Sequence, residues 1–226
     1  MITVTNNGLR AFINPNAALL ICLVLMVFFV PVLPVSYHYL AYNFLFSFIF
    51  LLSALSLRHH LRKILIAFAL ILIVIIWIAF QIDLLGVFLV SRIAQGLFFL
   101  FIVIQLIKQT ATAKDVNVRV IADSINGYLL VGIIYSFVVY SVIRLQPDAY
   151  NFAEGNNHDG QLLSSKMIYY TFVTYTSTGY GDIAPILPGA RSLATLISAT
   201  GQLYVAIIIA LLVGKFSGLK NEDTSL

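Results

Sequence analysis

Long apolar runs, each closed by a short polar or proline-bearing break, dominate the chain. A helix needs about 20 mostly apolar residues to cross the hydrocarbon core of a bilayer. Six runs meet that need: residues 17–33, 39–57, 64–80, 84–107, 125–143 and 193–214. The first closes at Pro31 and Pro34, the second carries Asn43 and a few serines, the third is unbroken and includes Trp77, and the fourth holds Arg92 and Gln95. A further apolar run, residues 167–175, is too short to cross. Such a segment can only enter and return, which requires protein or water to cover its backbone. The pattern predicts an all-α integral membrane protein, with six transmembrane helices and a short re-entrant helix and loop between helices five and six.

Composition strengthens this reading. Of 226 residues, 61% are hydrophobic and 10% charged, with a mean hydropathy of +0.98; a soluble domain carries about 25% charged residues. The bilayer is therefore the expected solvent. The net charge of +4 comes from basic residues between the runs and makes no face for nucleic acid. Cys22 is the only cysteine, so no disulfide forms within the chain. There is no metal-ligand cluster, nucleophile elbow or phosphate-binding glycine loop, and no enzyme activity is expected. His59 and His60 are adjacent and point to different faces of a helix, which favours a loop or interface role. No small-residue cleavage site follows the first run, which is read as a retained span rather than a signal peptide.

Lysine and arginine set the orientation. Arg58, Arg62 and Lys63 lie between runs two and three, and Lys108, Lys114 and Arg119 between runs four and five; the first and third loops carry none. Both termini are then cytoplasmic, in agreement with Arg10, Lys215 and Lys220, and the long segment after run five lies outside. The expected location is the cell (inner) membrane, with multiple passes.

Between the re-entrant run and the last span lies Thr176-Ser177-Thr178-Gly179-Tyr180-Gly181-Asp182. This stretch makes no good helix, so the chain returns through it with carbonyls that lack partners in their own segment. Buried carbonyls without partners are costly, and a cation satisfies them. Carbonyls along an extended strand face one way when alternate residues take conformations that glycine adopts without penalty; Gly179 and Gly181 are so placed. Thr178 is β-branched and stiffens the strand. Tyr180 is expected to turn its ring away from the axis onto the re-entrant helix, and Ser177 offers a hydroxyl at the inner end. One chain supplies one line of carbonyls, so enclosing an ion takes several copies around an axis.

TSTGYGD resembles the selectivity filter of potassium channels, in which loops from four subunits surround the ion. The resemblance spans about the last hundred residues, from run five to Gly218. Tyr169 and Tyr170 stand where many such channels have aromatic cuff residues, Arg191 opens the last helix at a familiar distance from the filter, and Gly201 falls where a hinge glycine is often found. The ending GQLYVAIIIALLVGKF is similar to small prokaryotic members with six spans. Ser177 replaces the commoner threonine and Thr178 the commoner valine, keeping the hydroxyl and the β-branch respectively. The resemblance implies a homotetramer in the lipid bilayer. Potassium ions would be held at Ser177, Thr178, Gly179 and Tyr180, with Gly181 completing the ligand strand. Asp182 either clasps Tyr169 or Tyr170 and supports the filter, or is a solvated charge at the mouth. Gly201 is a bending point or a close-packing site, and Gln202 faces the cavity. The outer acids Asp148, Glu154 and Asp159 concentrate cations or only solvate their loop.

Two units follow: residues 1–110, four helices in the place of a voltage sensor, and residues 111–226, a pore unit in which Asp123 marks an amphipathic approach to span five. The first four spans pack around the pore, bind lipid or meet a regulatory partner. Steep voltage gating uses three to four arginines in each of four subunits; run four has Arg92 alone, free to snorkel outward, pair with Asp83 or bond to Gln95. Weak voltage dependence is expected. The dozen or so residues after Lys215 are too few for a ligand-sensing domain, and no internal repeat of the transporter kind is visible.

Overall fold

The computed structural model describes residues 15–57, 62–81, 85–113, 115–152 and 160–223. The segments that carry Arg10, Arg58, His59, His60, Asp83, Lys114, Glu154 and Asp159 lie outside the described residues. The apolar runs become helices. α1, Pro15–Val24, continues through a π turn, Leu25–Phe29, and a 3-10 turn, Val30–Val32, where Pro31 and Pro34 end it. Then come α2, Val35–Ser56, α3, Arg62–Gln81, α4, Leu85–Thr112, and α5, Val118–Leu145. A 3-10 turn, Pro147–Ala149, leads into β1, Tyr150–Phe152, followed by α6, Gly160–Tyr175, β2, Ile183–Pro185, and α7, Pro188–Asp223.

Among the described residues, five stretches are long and apolar enough to cross a membrane: Pro15–Val32, Val35–Ser56, Gly86–Thr112, Val118–Leu145 and Pro188–Lys215. The third expected span corresponds to α3, 20 residues long and not one of those five. α6 is 16 residues, about 24 Å at 1.5 Å per residue, so it stays short of a crossing. It is nonetheless longer than the apolar run 167–175. Gln161 to Lys166 add turns at its start, where Leu163 and Ser165 are both buried.

Large side chains on α1 to α5 make one core, in which Phe50 stacks on Phe99 at 4.5 Å and Phe46 meets Phe137 at 5.4 Å. Ile168 of α6 joins that core, which ties this short helix to α2 and α5. A second cluster gathers α5, β1, α6 and α7 around Tyr150, Tyr175 and Ile197. α5 belongs to both.

The segment around Asp123 differs from the expected amphipathic approach. Asn117 caps α5, its side chain accepting from the Val120 amide at 3.1 Å. The helix then runs unbroken through Asp123, which is only 3% exposed and accepts a hydrogen bond from the Asn16 amide of α1. Asn126 donates to the Asn16 carbonyl at 2.9 Å. The Tyr204 hydroxyl of α7 donates to the Ser124 carbonyl at 2.9 Å. A buried charge needs polar partners, and α1 supplies one; an acid on a surface-lying helix would not. Lys215 extends the network, donating to the Thr110 and Ala113 carbonyls at 2.6 and 2.5 Å. Thr110 lies in the last turn of α4 and Ala113 just after it, where carbonyls lack a partner inside the helix.

Arg92 on α4 takes one of its three expected arrangements, donating to Gln95 Oε1 at 3.2 Å. Its guanidinium also lies 5.2, 5.0 and 5.6 Å from the rings of Phe88, Phe137 and Tyr140. A cavity of about 30 Å³ beside it is lined in part by Ser136, Tyr140 and Ser164.

Candidate functional site

The stretch 176–182 leaves the C-terminus of α6 and passes to β2. Its amides turn back on the helix it has just left. Thr176 N donates to Phe172 O, Ser177 N to Thr174 O, and both Thr178 N and Gly179 N to Val173 O, at 2.9, 2.9, 2.9 and 3.3 Å. The donors of 176–179 are thus consumed on the helix. Every second residue has positive φ: Ser177 at 60°, Gly179 at 61° and Gly181 at 80°. The two glycines adopt this without steric cost. Ser177 does not, and it is the only non-glycine residue with positive φ among the described residues. The composition of the stretch pointed to the glycines but held no signal for Ser177.

All seven side chains of the stretch are exposed in the single chain. Tyr180 is 71% exposed, so its ring is not buried on the α6 of its own chain as expected. Thr178 fastens to the helix end through its hydroxyl, 2.8 Å from that of Thr176, which in turn donates to Phe172 O at 2.8 Å.

At one end of the stretch, Tyr169 and Tyr170 separate. The Tyr169 hydroxyl is hydrogen-bonded to Asp182. Tyr170 is buried and meets Tyr150 edge-on at 5.1 Å, so of the two tyrosines it is the wall rather than the clasp. Tyr150 sits in β1, which pairs antiparallel with β2: Tyr150 with Pro185, Asn151 with Ala184, Phe152 with Ile183. Ile186 N adds a bond to Ala149 O at 2.8 Å. This two-stranded clip ties the chain before α6 to the chain after the stretch. Three-residue strands lie below what alternation can reveal, and the sequence reading did not include them. Arg191, near the start of α7, donates from Nε to Pro185 O at 3.4 Å and steadies the exit of the clip.

At the other end, α7 comes up against the base of the stretch. Gly201 is buried, and a Cβ there would overlap the Tyr175 carbonyl oxygen, with the Tyr175 ring close behind. The helix runs unbroken through this position. Of the two roles expected for Gly201, bending point or close-packing site, the contact supports close packing: glycine is required here for close approach of two backbones. That approach brings Ser198 and Gln202, one turn apart on α7, to Ser177. The Ser198 hydroxyl lies 2.9 Å from Ser177 Oγ, and Gln202 Nε2 donates to the same oxygen at 3.1 Å. Gln202 is exposed, on the open side of the chain.

Residues 127–217, from α5 through the stretch to α7, match a family model described as an ion channel. Curated relatives agree. The chain is 30% identical over 94 residues to potassium voltage-gated channel subfamily A member 5 of Rattus norvegicus, covering 41% of this chain and 15% of that one. It is 28% identical over 94 residues to subfamily A member 7 of Homo sapiens, and 29% to member 10 of Mus musculus, again over 41% of this chain and over 20% and 18% of theirs. The similarity is to ion channels. It is carried by one segment: the chain spans no more than 20% of the length of these relatives. No solved structure matches the chain significantly. Together with five membrane-length apolar helices, the channel match identifies a multi-pass membrane protein.

Proposed function

We propose that the chain is one subunit of a homotetrameric, potassium-selective channel. The observation that carries this reading is the alternation of positive φ at Ser177, Gly179 and Gly181, with the amides of the strand bonded back to α6. An extended segment with its donors consumed on one side presents a file of carbonyl oxygens on the other. In a membrane those oxygens need a partner, and a dehydrated cation supplies one. Carbonyls of Ser177, Thr178, Gly179 and Tyr180, with Gly181 closing the strand and the Ser177 hydroxyl at its base, replace the ion's water. Potassium is the permeant species and no organic cofactor takes part.

The tetramer is supported by what one chain leaves open. The stretch is exposed along its whole length, the Tyr180 ring has no cover, and large apolar side chains of α7, among them Leu203, Ile207 and Val213, are exposed. Neighbouring copies around an axis would cover the rings and leave the carbonyls facing one another. α6 acts as the re-entrant pore helix. Its C-terminal end, at Tyr175, directs partial negative charge toward the ion's path. Asp182, held by Tyr169, closes the outer mouth.

In this reading α3 is the sixth crossing: its 20 residues rise about 30 Å, the thickness of the hydrocarbon core. With six crossings and the basic loops inside, both termini lie in the cytoplasm in this reading, and the expected location is the cell's inner membrane. Residues 1–110 form a scaffold in the place of a voltage sensor, beside a pore unit of residues 111–226. The outer face of that scaffold meets lipid or a regulatory partner, and the channel responds weakly to voltage.

Reconstitution into liposomes with a potassium gradient tests the core of this. The expected result is passive potassium and rubidium flux with a reversal potential that follows potassium. A reversal potential that follows sodium equally, or a dimer or trimer by mass measurement in nanodiscs, overturns it.

A further inference from the structure

The Ser177 hydroxyl is not left to itself. It sits between two side chains of the last helix, the Ser198 hydroxyl at 2.9 Å and the Gln202 amide at 3.1 Å. Ser177 also holds a backbone conformation, φ 60°, that an L-residue adopts at a cost. The contact exists because Gly201, between these two residues on α7, lets the helix lie against the Tyr175 carbonyl.

We propose that Ser198 and Gln202 are positioning residues that orient the innermost ion ligand and tie it to the last helix. The proposal rests on the potassium-channel reading and adds to it a control point outside the filter stretch. A hydroxyl binds a cation through a lone pair, so its hydrogen must point elsewhere. A serine hydroxyl has one hydrogen and two acceptor lone pairs. Ser198 Oγ accepts the Ser177 hydrogen and turns it from the axis. Gln202 donates to one lone pair of Ser177 Oγ and fixes the rotamer. The second lone pair is left for the ion. In this arrangement Ser198 matters most: without its acceptor, the Ser177 hydrogen is free to swing toward the ion and oppose its charge. A displacement of α7 withdraws Ser198 and Gln202 together, so the inner ion site and the position of the last helix are linked.

Barium, a divalent cation of nearly potassium's size, probes the inner site when applied from the cytoplasmic side in planar-bilayer recordings. Ser198→Ala is expected to weaken internal barium block by about threefold to tenfold, the range of one net hydrogen bond, and Gln202→Leu by less. The potassium-to-rubidium permeability ratio should stay within about twofold in both, since the carbonyls above are untouched. Ser198→Thr keeps the hydroxyl and should restore block. In a Ser177→Ala background, Ser198→Ala should have no further effect, a non-additivity that a merely structural role of Ser198 would not produce. Equal block in the wild type, Ser198→Ala and Gln202→Leu overturns the proposal, and so does a Ser198→Ala effect that persists undiminished without the Ser177 hydroxyl. A wild-type protein that passes no potassium-selective current fails the channel reading instead, and that outcome is recognised before any variant is made.

Discussion

The filter stretch and the surroundings of Arg92 both place polar chemistry in an apolar chain, and they do so in opposite ways. Along 176–182 the backbone donors of 176–179 are used on the preceding helix, while every residue is exposed. On the proposed reading, ions and neighbouring copies complete the stretch. Arg92 is surrounded within the chain, by Gln95 and three aromatic rings. Two of those rings, Phe137 and Tyr140, belong to α5, so the charge joins α4 to the pore-side helix. On the proposed reading the difference separates a site from a strut: acceptors in a fixed frame would take a ligand from outside, whereas a cation already enclosed has little to gain by moving.

The largest change to this comparison should come from Gly179→Ala. A Cβ at this position meets nothing within 4 Å, so the penalty is conformational. Holding an L-residue at φ 61° costs about 1–2 kcal/mol, repeated in each copy of the proposed tetramer. Loss of potassium-selective current with the tetramer intact by native mass measurement is the expected outcome; normal current would place the filter elsewhere. Gly201→Ala should act next, through space rather than conformation. Its Cβ would run into backbone at Tyr175, which cannot rotate aside, and overpacking costs about 1–3 kcal/mol. A lower melting temperature in detergent and reduced current are expected; a stable, freely conducting variant would return Gly201 to the role of a hinge. Tyr169→Phe removes only the bond to Asp182. That bond is solvent-accessible, with Tyr169 38% exposed, so the stability loss should be at most about 1 kcal/mol. The reversal potential should be unchanged.

What could be read in advance divides along similar lines. Apolar length alone located the helices, because the bilayer makes burial of backbone polar groups obligatory. The glycines of the filter stretch were legible because their conformational freedom is local. Ser177 was expected as an ion ligand, but its positive φ left no mark in composition, and its side-chain partners Ser198 and Gln202 lie twenty or more positions away. Gly201 was seen as a special position with two meanings. Choosing between them needed the location of Tyr175, which no local pattern carries. Asp123 was misplaced for the same reason: its partner, Asn16, lies on a distant helix, and an acid beside Arg119 reads as surface until that contact is known. The β1–β2 clip was missed because three residues are too few for a period to register.

The smallest expected effect on conduction is also the sharpest test of the strut. Moving one elementary charge across the membrane field is worth about 2.3 kcal/mol per 100 mV, and steep gating draws on three to four charges in each of four subunits. Arg92 is the one arginine within α4. Four copies crossing the whole field would supply about four charges, roughly a quarter to a third of that total. They would also have to leave their rings, and a desolvated cation–π contact is worth about 2 kcal/mol. A side chain held in this way contributes a fixed charge, which shifts no equilibrium with voltage. Arg92→Gln should therefore lower thermal stability by about 1–2 kcal/mol through lost ring contacts. The conductance–voltage relation between about −100 and +100 mV should stay as shallow as in the wild type, because a charge that does not move has no share in the field term. A steep wild-type curve that flattens in Arg92→Gln would show the guanidinium leaving Phe137 and Tyr140 as the voltage changes, and α4 would then be a one-charge sensor.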